Sequence, residues 1–349
     1  MVSGSEAFVE DTEPFRRELL AHCYRMLGSL HDAEDVVQET YLRASRSYGE
    51  FEGRSSVRTW LYRIATNAFL SALAHHRRLV SPSGLGGPEA DPGAVPVPAG
   101  PDVVWLQPVA DAVVGLESAD PAVIVAERQS LRLALIASLQ HLPAKQRAAL
   151  ILRDVLAFSA AEVAVMLDTT TAAVKSTLQR ARARLDELAL VADDVSEPAQ
   201  PEARALLEQY IAAFEDADAT KLKHLLCRDA TLEATPFRTW FAGNHTCVPY
   251  LQLRVMGLPG DWRMLPTRAN GQPAAVAYTR DPHGTYQAYG VVVLTVTAAG
   301  PVGPGRPGWT GAVQGRPPPG RSRPGPRRAE PLRGAPSGGS CGMVRGREG

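Results

Sequence analysis

The chain has little with which to crosslink itself or cross a bilayer. Its four cysteines, Cys23, Cys227, Cys247 and Cys341, lie far apart and form no C-x-x-C pair. That excludes a zinc ribbon and argues against a disulfide framework. No apolar run approaches the ~18 residues of a transmembrane helix. The start, Met1-Val-Ser-Gly-Ser-Glu6, lacks the basic and apolar segments of a secretion signal. A cytoplasmic protein with no membrane partner is expected. No residue cluster points to a metal or cofactor, and no nucleophile–base motif is evident, so no catalytic residue is assigned. Net charge is also absent, with 37 basic against 37 acidic residues, but the balance is uneven. Residues 301–349 carry nine Arg against two Glu, while residues 81–130 carry seven acids and one base. Local fields therefore matter more than the total.

At 349 residues, two or three compact units joined by linkers are expected, each with its own core. Residues 12–79 hold a single proline and space their apolar residues helically: Leu19, Leu20, Cys23, Tyr24 and Leu27, then Val36, Val37, Thr40, Tyr41 and Ala44. Helices are predicted near 12–27, 31–47 and 55–78. Residues 80–120 turn to Pro, Gly, Ala and Val with scattered acids, which predicts an extended linker. Helical patterning returns over 121–190, with four helices. Ser159-Ala-Ala-Glu162 fits a capping box, in which the hydroxyl accepts a backbone N–H and the Glu reaches back to the cap. The short helix it starts, the turn at Asp168–Thr170, and a longer basic helix from Thr171 to Leu188 make a helix-turn-helix. After a linker at 191–200, residues 201–300 begin with an amphipathic helix bearing Leu206, Tyr210 and Phe214. They continue in short strand-like segments after Asn270-Gly-Gln-Pro273 and Pro282-His-Gly284, an α+β pattern. Residues 301–349, with 13 Gly and 10 Pro, are predicted to be disordered.

Three surfaces carry chemistry. Asp32, Asp35 and Glu39 stand at i, i+3 and i+7, opposite Val37, Tyr41 and Ala44, so one helix face is acidic and the other dry. On composition alone a solvated face is the simpler reading. Arg54, Arg58 and Arg63 alternate with Phe51, Trp60 and Tyr62, a mixture suited to unpaired nucleic acid: guanidiniums follow phosphates and rings stack on bases. Trp60 and Tyr62 serve equally well as core residues. On the basic helix, Lys175, Ser176, Gln179 and Arg180 share one side, and Val174, Leu178, Ala181 and Leu185 the other. Arg and Gln read base edges, and Lys and Ser bind phosphate.

The run from Leu19 to Ala44, followed by Phe51-Glu-Gly-Arg-Ser-Ser-Val-Arg-Thr-Trp-Leu-Tyr-Arg-Ile-Ala-Thr-Asn67, resembles region 2 of the extracytoplasmic-function (ECF) sigma factors of the sigma-70 family. Pro143–Arg153 and Ala173–Leu185 resemble region 4, and the remainder resembles the subgroup with a C-terminal SnoaL-like (NTF2-like) domain. The implied fold is mainly α, two helical sigma domains, plus a cone-shaped α+β domain. The resemblance implies a promoter-specificity factor, with core RNA polymerase (largest-subunit clamp helices and flap) and promoter DNA as partners. It assigns Asp32, Asp35, Gln38 and Glu39 to polymerase contact, Arg54, Arg58, Trp60, Arg63 and Asn67 to the −10 strand, and Thr171, Lys175, Ser176, Gln179, Arg180 and Arg182 to the −35 duplex. Asp168-Thr-Thr-Thr171 replaces the family's Gly-rich turn. The linker is implied to thread the polymerase cleft, where its acids imitate nucleic acid; a plain spacer is the alternative.

In the third domain Tyr210, Phe214, Trp240, Phe241, Tyr278, Tyr286 and Tyr289 are candidate pocket residues, with Asp229, His245 and His283 as polar candidates for a small-molecule ligand. Regulation of the sigma modules is the favoured role. The family's final strand after Val291–Ala299 is expected to be missing, through a change of reading frame or an Arg-rich extension. A ligand-responsive repressor is an alternative, but it leaves residues 12–79 unexplained. A SnoaL-like enzyme would require an acid–base pair that is not found. If the linker acids act electrostatically, replacing them with Asn and Gln at constant length alters promoter escape in a run-off assay; unchanged escape supports the spacer.

Overall fold

The structure, a computed structural model, describes residues 4–73, 79–115, 130–188, 200–295 and 310–315. The first helical module comprises α1 (Gly4–Thr12), α2 (Arg16–Leu27), α3 (Leu30–Ser47) and α4 (Val57–Leu73). α1 precedes the predicted start. Phe8 seats it on the module, its ring 6.2 Å from Tyr41 and 5.3 Å from Tyr48. α2 ends where Gly28 takes a left-handed conformation (φ 75°); a Cβ there would lie 2.7 Å from Leu106 Cδ1. The next residue, Ser29, caps α3 by accepting the Asp32 N–H at 3.3 Å.

The second module comprises α5 (Leu133–Leu139), α6 (Ala144–Leu150), a π-helical turn (Ile151–Val155), α7 (Ala160–Met166) and α8 (Thr171–Leu188). The capping box forms as read: Glu162 N–H donates to Ser159 Oγ (3.2 Å) and Ser159 N–H to Glu162 Oε2 (2.8 Å). In the turn that follows, Asp168 takes the left-handed conformation that glycine adopts more readily (φ 49°), and Thr170 Oγ1 caps α8 through the Ala173 N–H (3.1 Å).

The modules do not bury separate cores. Leu19, Met26, Leu61 and Phe69 belong to one continuous core with Ile136, Leu152 and Met166, and Leu106, Val109 and Val114 of the linker join it. The expectation of independent cores is corrected: an extended linker and two short helix bundles each have too little apolar area alone. Residues 79–115 are largely extended, apart from a short 3-10 turn at Pro82–Gly84 and turns at 85, 92–93, 101–102 and 111–115, and backbone hydrogen bonds tie them down at Glu89, Ala99, Gln107 and Asp111. Residues 116–129 lie outside the described residues.

The third domain is α+β: α9 (Gln200–Glu215), α10 (Ala219–Leu225), α11 (Asn244–Arg254) and one sheet in the order β2-β1-β6-β5-β4-β3. The strands are β1 (Thr231–Thr235), β2 (Trp240–Ala242), β3 (Trp262–Ala269), β4 (Gln272–Arg280), β5 (Tyr286–Val293) and β6 (Thr310–Gly315). β6 corrects the reading of a missing last strand and of a tail wholly without structure: it pairs antiparallel with β5 and parallel with β1. The rest of the tail lies outside the described residues. β3 and β4 join through Asn270-Gly271, both with positive φ (55° and 69°), the geometry a two-residue hairpin requires.

His22 is fully buried in the shared core, its ring 4.9 Å from Tyr62, and neither ring nitrogen has a hydrogen-bond partner. Burial, then the nearby Arg25 and Arg58, lower its pKa from 6.5 to about 3. The fold therefore holds the ring neutral. As pH falls below about 6.5 the unfolded chain takes up a proton that the fold refuses, costing at most about 1.4 kcal/mol per pH unit. Thermal denaturation at pH 7 and pH 5 is expected to show a drop of roughly 2 kcal/mol from this group, flattened in His22→Leu. An equal drop in both proteins assigns the acid sensitivity elsewhere.

Candidate nucleic-acid interface

The acidic face of α3 forms as read. Asp32, Asp35 and Glu39, with Val36, Arg43, Ala68, Ser71 and Ala72, line a groove of about 280 Å³ between α3 and α4. Arg43 is 2.7 Å from Glu39, and His31 is 3.9 Å from Asp35. Asp35 is exposed, so the groove offers negative charge to solvent. Gln38 is exposed but does not line it.

The set read for unpaired DNA divides. Trp60, Arg63 and Asn67 stand at i, i+3 and i+7 on one face of α4. Arg63 and Asn67 are exposed, and Trp60 is half-buried against Phe51, with ring centroids 4.9 Å apart, and Tyr48, at 6.2 Å. Arg54 is exposed on the preceding loop and pairs with Glu52 at 2.7 Å. Arg58 turns elsewhere. Its Nε donates to Glu18 (2.9 Å), and its guanidinium lies 5.1 Å from the Tyr62 ring and 4.4 Å from the ring of Phe158 in the second module. Tyr62 is fully buried, which settles it as a core residue; burial pushes its phenol well above the ordinary range.

On α8 the division is clean. Thr171, Lys175, Ser176, Gln179 and Arg180 are exposed, while Val174, Leu178 and Ala181 are buried against the core. Arg180 donates to Ser176 Oγ (3.1 Å) and Thr177 Oγ1 (3.3 Å), which lays its guanidinium along the helix. Arg182 is exposed and pairs with Asp154 of the π-helical turn at 2.7 Å.

Sequence reading missed the polar ties that hold these faces together. Arg147 is buried and donates to the Met26 carbonyl of the first module, and to Gln140 Oε1 (2.9 Å). Arg25 Nε donates to Ser130 Oγ (3.1 Å), and Thr59 Oγ1 to Glu162 Oε1 (3.3 Å). Donation from the Ser159 N–H is the main reason the Glu162 carboxyl is lowered. Asn270 at the β3–β4 turn bridges three segments of the chain. It is fully buried, accepts from Val109 N–H (2.9 Å), and donates to the Leu131 carbonyl and Tyr24 Oη (both 2.7 Å). Beside it Asp111 accepts from Gly271 N–H (2.8 Å) and pairs with Arg268 (3.2 Å). Further along, β2 and its preceding loop hold the linker through Glu89 N–H to Trp240 O (2.8 Å) and Trp240 Nε1 to Gly86 O (2.8 Å).

The aromatic candidates of the third domain divide between its core and its surface. Tyr210, Phe214, Phe241 and Tyr289 pack in one cluster with Tyr250 and Trp262, which sequence reading did not single out. Trp240 faces the linker, Tyr286 is exposed, and Tyr278 and Asp229 are half-buried. His245 and His283 are exposed. Among the described residues no group of three or more His, Cys, Asp or Glu could hold a metal ion, and no helix is long and apolar enough to cross a membrane.

Residues 12–79 match the family model "Sigma-70 region 2" and residues 132–185 match "Sigma-70, region 4". The chain is 50% identical over 284 residues to ECF RNA polymerase sigma factor SigG of Mycobacterium tuberculosis (strain ATCC 25618 / H37Rv), covering 80% of this chain and 76% of that protein. It is 31% identical over 231 residues to ECF RNA polymerase sigma factor SigJ of the same strain, covering 64% and 63%. The crystal structure of Mycobacterium tuberculosis SigJ matches the fold with a TM-score of 0.54 at 24% identity, over 87% of this chain and 96% of that one. The exposed basic face of α8 predicts that Lys175→Ala weakens duplex binding uniformly across sequences and lowers the salt slope by about 1, whereas Gln179→Ala relaxes sequence preference. Gel-shift titrations at several salt concentrations check both; a Lys175→Ala slope equal to wild type removes that residue from the interface.

Proposed function

This chain belongs to the extracytoplasmic-function family of RNA polymerase sigma factors, and from that premise we propose how its surfaces share the work of initiation. As a sigma factor it is a non-enzymatic initiation factor that partners core RNA polymerase and promoter DNA. The acidic groove of Asp32, Asp35 and Glu39, with Gln38 beside it, docks on the basic clamp helices of the polymerase largest subunit. Trp60, Arg63, Asn67 and Arg54 hold the unpaired −10 strand, by ring stacking and phosphate pairing. Thr171, Lys175, Ser176, Gln179 and Arg180 read the −35 duplex through the major groove, with Arg182 bracing the helix behind them and region 4 resting on the polymerase flap. The work is cytoplasmic, where polymerase and promoter are.

The third domain acts as a regulator rather than a catalyst. One observation carries the reading: Asn270 hydrogen-bonds region 2 through Tyr24, the linker through Val109, and the start of region 4 through Leu131. The two elements that sigma regions 2 and 4 read are about 25 base pairs apart, roughly 85 Å of duplex at 3.4 Å per pair. A compact body of about 190 residues is only roughly 40 Å across. Regions 2 and 4, sharing one core, cannot reach both elements until they separate. A residue that ties all three together therefore restrains initiation. The linker cannot thread the polymerase cleft while Asp111 is held by Arg268 and Gly271.

Run-off transcription with purified core polymerase tests both levels. The full chain is expected to initiate at its own promoter, and truncation after Ala189 or Asn270→Gly to raise output several-fold. Asn270→Gly keeps the positive φ and removes only the side chain, at roughly 1–3 kcal/mol for each buried partner left unpaired. Tight duplex binding without initiation at any promoter favours a repressor. Equal output from the full and truncated chains removes the third domain from control.

A further inference from the structure

Arg58, Glu18 and Tyr62 make a receptor for a flat ring, and a protein side chain fills it. The Arg58 guanidinium is clamped by Glu18 and lies 4.4 Å from the Phe158 ring centroid, while Tyr62 meets the same ring edge-on at 5.1 Å and 61°. A cation on one ring surface with a second aromatic against it is the environment proteins use to hold stacked bases. Glu18 adds an acceptor suited to an exocyclic amine. Arg58 and Glu18 each retain about a third of their exposure, so the rim of this receptor is open to solvent.

The way Phe158 arrives is unusual. Ala157 before it holds a left-handed conformation (φ 57°), which costs an alanine about 1–2 kcal/mol. Phe158 is then fixed by its N–H to the Leu152 carbonyl (3.0 Å) and by Arg153 donating to its own carbonyl (3.3 Å), and the capping box begins at the next residue. The loop before the helix-turn-helix thus spends backbone strain to place one ring, 4% exposed, on region 2. Close by, Thr66 Oγ1 and both His22 nitrogens are buried without hydrogen-bond partners, so the polar groups near this seam are incompletely satisfied.

We propose that Phe158 is an internal stand-in for an unpaired nucleobase: it plugs a base-binding site formed by Arg58, Tyr62 and Glu18 on region 2, and is displaced by a promoter-strand base carrying an exocyclic amine when region 4 moves away. This rests on the reading of region 2 as a single-strand binder and extends it, since Arg58 faces away from Trp60, Arg63 and Asn67. Strand entry and separation of the regions become one event, because ring and base compete for the same guanidinium.

The test uses the full chain and fluorescence anisotropy with labelled oligo(dC), whose bases carry an exocyclic amine, and oligo(dT), whose bases do not. Phe158→Leu keeps an apolar plug but loses the ring, and Phe158→Ala empties the site; circular dichroism confirms that each folds. Both are expected to bind oligo(dC) about tenfold more tightly than wild type does, with a smaller gain for oligo(dT). Adding Arg58→Gln to Phe158→Leu is expected to erase the gain. No gain, an equal gain for both oligonucleotides, or a gain that survives Arg58→Gln overturns the plug. Arg63→Ala in complex with core polymerase separates the two readings. If it loses strand binding while the Phe158 variants gain nothing, region 2 still reads the strand and only the plug is wrong. If the wild-type complex binds neither oligonucleotide, the underlying reading fails as well.

Discussion

The side chain of Asn270 is the constraint on which the arrangement depends. One carboxamide satisfies a backbone N–H of the linker, a backbone carbonyl at the entry to region 4 and a phenol of region 2, all away from water. Buried polar groups are tolerated only when paired, so each partner requires the others to be in place. The hairpin that presents Asn270 is rigid because Asn-Gly fits a two-residue turn with positive φ at both positions. Its flanking strands are anchored in the sheet of the third domain. That domain thereby reaches into the sigma modules with a fixed probe rather than a floppy contact.

The seam between regions 2 and 4 has two characters. Around Arg147 and Arg25 charged donors meet carbonyls and a hydroxyl across the boundary. At His22, Thr66 and Gln140 Nε2 polar atoms are buried without partners. Shared apolar burial closes the seam, while its unpaired groups and the strained Ala157 lower the cost of parting it. An interface built this way parts at lower cost than one whose polar groups are all paired.

What could be read from the sequence is what depends on near neighbours along the chain. Helix periodicity placed the acidic face of α3 and the two faces of α8, and a four-residue spacing located the capping box at Ser159 and Glu162. Short-range turn chemistry found the Asn270-Gly271 corner. The role of that corner was not legible, because Asn270 and Tyr24 are 246 positions apart and a single polar contact across that span leaves no period. Arg58 shows the same limit: its neighbours suggested nucleic acid, and only the fold turns it onto Phe158. The aromatics of the third domain meet a related limit. Composition marked them as large and apolar, but packing density decides whether such residues line a space or fill one. The merging of two expected cores was hidden because apolar stripes show that a face is buried, never against which partner.

The position of Asn270 in the chain also fixes an order of events during synthesis. Regions 2 and 4 are complete by Leu188, and the residue that ties them together is made 82 residues later. At about 5–20 residues per second, that is an interval of roughly 4–16 seconds, with N-terminal units folding first. During it both reading heads exist on the ribosome without their tie. While it lasts, regions 2 and 4 are held by the core they share and lack the polar tie that Asn270 supplies.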